Sequence, residues 1–296
     1  MSYDLFFKPQ GTSLSLTDFH RYFRERPRFT FEGVQACYHN EDTGVYFTFE
    51  FKPEQRPEDG DDEEYFPVAF NINYFRPSYF ALEAEPEVAA FVRYFGLLVH
   101  DPQAHGMGTG EYDMEKFLSG WHHGNQFGYS AILQDEENRK GISHLPTDQL
   151  HDAWRWNLSI PGRQSRVGES KFVPRVIFLN LGGSTMTVTV TAAVWPDGIP
   201  VVVTKVDYLY IPREDLAPRK LFRKQKDRTF VAWEIALPIL LKHGVQNEHG
   251  TVTLNYVKTP RALAKFVRSL PADSRPITVL SADKVLDREL YERSIA

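Results

Sequence analysis

Cysteine is almost missing from this 296-residue chain: Cys37 stands alone, which leaves no intramolecular disulfide and too few thiols for a Cys-based zinc site. That scarcity points to a reducing compartment. The opening MSYDLFFKPQ lacks the charged and apolar regions of a secretory signal. No window approaches the roughly 18 uncharged apolar residues of a membrane-spanning helix. We expect a soluble, cytoplasmic protein with no membrane partner. An excess of positive charge is absent too: 34 basic against 39 acidic residues give a net charge of −5, which disfavours nucleic acid as a partner. The G-x-S-x-G elbow of serine hydrolases and the lysine-bearing P-loop are also lacking. The run Gly106-Met107-Gly108-Thr109-Gly110 has glycines without the rest of a nucleotide motif and reads as a hinge. No motif calls for a cofactor.

What is present is enough apolar sequence, 42% of residues, to bury a sizeable core. The aromatic run Tyr3 to Phe7 suits a buried strand. Leu16, Phe19, Tyr22 and Phe23 recur at helical spacing, with Thr17 and Asp18 to cap the helix and Pro27 to end it. Residues 34–38 and 45–51 flank HNEDTG, where Gly44 can take the positive φ of a tight hairpin, and Val45, Phe47, Phe49 and Phe51 should face inward. A strand is expected over 66–73, a short extended piece over 79–82, and then a helix opened by Pro86. Residues 97–101 read as a strand leaving the core at Asp101. Residues 114–133 read as a long helix weakened by Gly120, Gly124 and Gly128.

Further on, 173–181, 185–194 and 201–211 are β-branched runs that suggest an antiparallel meander. Helices are expected over 230–241 and after Pro260, strands over 251–257 and 277–280, and then a polar tail. The fold class is therefore α+β, in two lobes of mostly antiparallel sheet with packed helices: an N-terminal lobe 1–105, a helical connector 106–170 and a C-terminal lobe 171–296.

Charge is distributed unevenly. Residues 53–64 (PEQRPEDGDDEE) hold seven acids against one base, a local charge of −6. Packed carboxylates repel and stay solvated, so the segment reads as an exposed loop. Asp59, Asp61, Asp62, Glu63 and Glu64 in it are candidates for binding a basic partner, since opposed fields speed association. Residues 213–228 carry the opposite sign, seven bases against three acids, and read as a solvated turn without the interleaved aromatics of a stacking platform. Trp154 and Trp156 are candidate exposed anchors, because tryptophan dominates interface hot spots.

His100, Asp101, His122 and His123 offer the one opening for acid–base or metal chemistry, and a hydrolase using them is the alternative to a binding protein. Adjacent His122 and His123 diverge by about 100° on a helix and cannot share a metal as an i, i+4 pair does. Cys37, inside an expected strand, reads as an inert thiol.

The phrases MSYDLFF, NEDTGVYFTFEF, GLLVHDPQ, VWPDGIP and VDYLYIPREDLAPRKLF together resemble bacterial proteins of uncharacterised families. Several of those look like immunity proteins of polymorphic toxin systems, each of which neutralises one cognate toxin. The resemblance implies a cytoplasmic, non-catalytic protein-binding protein with a protein partner, a basic toxin among the candidates. These phrases are strand and turn text, so no site residue is carried over.

Overall fold

In the computed structural model, residues 1–11, 13–52, 65–182, 187–217, 219–220, 223–224, 226–247 and 250–296 are described. The fold is α+β with mostly antiparallel sheets. The chain divides into two compact units, Met1–Thr147 joined by Asp283–Ala296, and Asp148–Ala282. That division falls inside the expected connector 106–170, so its first helix belongs to the first unit and most of its last helix to the second.

The first unit opens with β1 (Ser2–Pro9), α1 (Leu16–Arg24), β2 (Phe29–Glu32), β3 (Gln35–His39), β4 (Tyr46–Phe51) and β5 (Val68–Asn73). It continues through α2 (Tyr79–Phe95), β6 (Leu97–Asp101), β7 (Gly108–Gly110), α3 (Met114–Leu133), the short α4 (Glu136–Arg139) and β8 (Ser143–Leu145). Seven strands pair antiparallel in the order β2-β3-β4-β5-β1-β6-β7. The inner four, β4-β5-β1-β6, with α1 and α2 as crossovers, have the order of a split β-α-β-β-α-β unit.

Strict alternation explains why one face is buried. Tyr3, Leu5 and Phe7, then Phe47, Phe49 and Phe51, then Val68, Phe70 and Ile72 all point inward. Phe49 sits at the centre, its ring 4.9 Å from Phe23 on α1, 5.1 Å from Phe70 and 5.0 Å from Phe91 on α2. The β3–β4 hairpin forms as expected, with Gly44 at φ 76°.

Several local expectations are corrected. Ser15, not Thr17 or Asp18, caps α1, accepting the Asp18 N–H at 3.2 Å. Residues 79–82 are not extended: α2 begins at Tyr79 and carries Pro86 within it. Pro86 is tolerated there because the buried stripe of Phe80, Ala84, Val88 and Phe91 holds the helix on the sheet. Asp101 does not leave the core; it is 2% exposed and accepts hydrogen bonds from the Tyr3 hydroxyl and the backbone N–H groups of Gln103 and Met107. The glycines of α3 do more than weaken it. A Cβ at Gly124 would lie 2.2 Å from the Tyr74 ring and one at Gly120 3.0 Å from the Tyr3 hydroxyl, so their absence lets α3 approach these side chains.

The second unit contains α5 from Asp148 onward (Thr147–Val167), β9 (Val176–Gly182), β10 (Thr187–Val194), β11 (Val202–Val203), β12 (Tyr208–Arg213), β13 (Arg219–Lys220) and β14 (Arg223–Lys224). Then come β15 (Asp227–Ala232), α6 (Trp233–His243), β16 (Gly244–Gln246), β17 (Val252–Leu254), α7 (Arg261–Ser269) and β18 (Ile277–Leu280). Five strands run in the order β15-β12-β10-β9-β18.

The expected meander fails at its third run. Residues 201–211 split between β11, which joins a small sheet with β17 and β16, and β12, which pairs with β10 in parallel. Residues 230–232 end β15, and the helix starts only at Trp233. Residues 213–228 are not a plain turn either: β13 and β14 pair antiparallel and β15 follows. Arg213, fully buried, forms a bidentate pair with Asp227 at 2.7 and 2.8 Å and donates to the carbonyls of Val267 and Leu270.

Where a polar tail is expected, the chain re-enters the first unit with β19 (Val285–Asp287), parallel to β8, and α8 (Arg288–Ile295). The buried Asp287 carboxylate fastens this return, accepting the Ser78 N–H at 2.7 Å, the Ser78 hydroxyl at 2.7 Å and the Tyr129 hydroxyl at 3.4 Å.

Candidate interaction surface

The pleat that sends Tyr3, Leu5 and Phe7 inward sends Asp4, Phe6 and Lys8 to the other face of the seven-stranded sheet. There they join Thr48, Glu50, Asn71 and His100, all partly exposed. Most of this face is polar and locally satisfied, as in the Asn71 amide donating to Asp4 at 2.6 Å. One aromatic patch interrupts it. Phe6 and His100 are direct partners on β1 and β6, with ring centroids 6.2 Å apart, and Phe66 stacks on His100 at 5.2 Å. The Lys52 ammonium lies 4.9 Å above the Phe6 ring, a cation–π contact. His100 Nδ1 and the Thr109 hydroxyl are hydrogen-bonded at 2.7 Å, which holds the imidazole in place.

The acidic residues Asp59, Asp61, Asp62, Glu63 and Glu64 lie outside the described residues. Both chain ends that flank them are described. Lys52 donates its N–H to the Pro67 carbonyl at 2.7 Å, and the Tyr65 hydroxyl donates to the Lys52 carbonyl. The described residues on either side of 53–64, Lys52 and Phe66, thus lie against Phe6 and His100. Sequence reasoning missed these aromatics; the signal was the bracketing of the acidic run by Lys52 on one side and Tyr65-Phe66 on the other.

The other expected site residues are scattered. Trp154 is partly exposed, but Trp156 is a correction: it is 4% exposed, its indole donates to the Pro174 carbonyl at 2.8 Å and Arg163 covers its ring. A β-strand puts His100 and Asp101 on opposite faces, so they cannot act as a dyad. His122 packs edge-on to Trp121, while exposed His123 has its ring centroid 3.7 Å from that of His105. Among the described residues no group of three His, Cys, Asp or Glu side chains could hold a metal ion. Burial, aided by the charge of Glu32, pushes the Cys37 thiol up, away from the thiolate a nucleophile needs.

Among the described residues no helix is long and apolar enough to cross a membrane. Comparison of the chain with family models, with curated proteins and with solved structures yields no match.

Proposed function

We propose that this is a non-catalytic, cytoplasmic protein-binding protein, of the kind that neutralises a cognate bacterial toxin, and that its partner is a basic protein. The supporting observation is that the residues flanking a segment of local charge −6, Lys52 before it and Phe66 after it, lie against Phe6 and His100. Such a surface combines long-range attraction for a cationic partner with apolar rings to hold it. Charge at the periphery sets the rate of encounter, and desolvated aromatics set the lifetime of the complex.

Paired affinity capture from cells of the source tests the reading. The parent protein and a variant with Asp59, Asp61 and Asp62 changed to Asn and Glu63 and Glu64 changed to Gln serve as baits. A cationic protein retained by the parent should be lost or depleted with the variant. In biosensor kinetics with that protein, the variant should associate about tenfold more slowly at low ionic strength and near parental speed at high salt. Phe66→Ala should mainly raise the dissociation rate. Identical captured proteins with both baits, or association rates indifferent to charge and salt, would overturn the reading.

A further inference from the structure

A second feature of the first unit does not depend on that reading. A cavity of about 350 Å³ is lined by residues from 75–76, 132–142 and 283–286. Its walls come from three stretches far apart in sequence, and each is held by hydrogen bonds. Phe75 has φ 59°, a left-handed conformation that is strained in a bulky residue and persists only where the surroundings enforce it. Asn125 supplies that enforcement, accepting the Arg76 N–H at 3.2 Å and donating to the Arg76 carbonyl at 2.9 Å, while the Tyr129 hydroxyl shares its one proton between that carbonyl and Asp287. Stretch 283–286 is fixed by the Asp287 clamp, and 138–142 by Asn138 and Arg139 donating to the carbonyls of Ile132 and Leu133.

The chemistry of the lining is two-sided. Ile132, Ile142 and Leu286 supply aliphatic lining, and the lining cations Arg76, Lys140 and Lys284 outnumber the one acid, Asp283. Asp283 stands 3.9 Å from Arg76, whose guanidinium is also held by the Tyr46 hydroxyl. Lys140 pairs with Glu137 through side chains that are both mostly exposed, a weak contact readily exchanged for another anion. Lys284 has no carboxylate partner among the described residues.

We infer that this cavity binds a small organic anion with an apolar body, such as an aryl carboxylate or aryl phosphate. Its charged end meets Lys284 and Lys140, and its ring lies on Ile132, Ile142 and Leu286. A bare anion would forgo the aliphatic lining and a neutral ring would forgo the lysines, so the site selects the combination.

Isothermal titration calorimetry of the full chain with phenyl phosphate, benzoate, inorganic phosphate and benzyl alcohol tests this. Saturable binding of phenyl phosphate or benzoate, at least about tenfold tighter than inorganic phosphate and benzyl alcohol, is expected, and the preferred aryl anion identifies the head group. Lys284→Gln and Lys140→Gln, both at exposed positions, should each weaken it about tenfold, the loss of one charge-assisted contact. Three outcomes overturn the proposal: no saturable binding of either aryl anion up to about 10 mM, inorganic phosphate binding as tightly as phenyl phosphate, or affinity unchanged by Lys284→Gln.

Discussion

The two main sheets solve the same problem differently. In the first unit one face is packed and the other is polar, so each strand alternates in sequence, and the core between sheet and helices is aromatic and uncharged apart from a few clamped carboxylates. In the second unit both faces carry apolar residues. Ile177, Leu179, Leu181, Val190, Ala192, Tyr208, Phe230 and Ile277 cluster on one side, while Phe178, Leu209, Ile211 and Val231 are buried on the other. Its interior also includes a fully buried arginine paired with Asp227. The first unit should therefore be vulnerable where phenols must ionise, and the second where a single ion pair is broken.

The largest expected effect is alkaline. Burial, the leading cause in every case, raises Tyr3, Tyr22, Tyr38, Tyr74, Tyr79, Tyr112 and Tyr129 in the first unit, Tyr22 and Tyr74 to about 12, and Tyr256 in the second. A value higher in the folded than in the unfolded state means that the stabilisation is complete below about pH 10 and drains as pH climbs towards the folded values. Hydrogen exchange read by mass spectrometry between about pH 9 and 11.5 should show the first unit opening ahead of the second; simultaneous opening would break the comparison.

Next in size is Arg213→Ala, which strands Asp227 and two carbonyls and should cost about 3–5 kcal/mol by chemical denaturation. A loss under about 1 kcal/mol would mean the second unit does not rely on that pair. Gly124→Ala follows. Alanine is the better helix former by about 1 kcal/mol, yet its methyl would overlap the Tyr74 ring, so a net loss of about 1–2 kcal/mol in thermal unfolding is expected. Smallest is Asp152→Ala. Its bridge to Arg155 spans 3.0 Å between well-exposed side chains, and its removal should cost no more than about 0.5 kcal/mol, against the several lost with Arg213.

The same contrast explains what was legible beforehand. The β3–β4 hairpin and the inward set Val45, Phe47, Phe49 and Phe51 were readable because a one-sided sheet writes its orientation into alternating residues. The bounds of α3 were readable from helical periodicity over twenty residues. In the second unit, β-branched runs announced strands but carried no record of partner or direction, so the parallel β10–β12 pair was missed. The start of α2 was missed because a proline is locally compatible with a first turn, and only packing decides that it sits mid-helix. The site was less legible still. The acidic run was plain in composition, whereas Phe6, His100 and Phe66 meet only through the β1–β6 register and the position of 65–66, and Trp156 looked available because burial is a property of the fold.

The late return of 283–296 to the first unit has a consequence for synthesis. Asp148–Ala282 is translated in full before the residues that complete the first unit leave the ribosome. Until Asp287 emerges, Ser78 and Tyr129 wait without their carboxylate, β8 without its neighbour and the anion cavity without one wall. The half made first is thus the half finished last, because its closing strand and helix are synthesised only after every residue of the second unit.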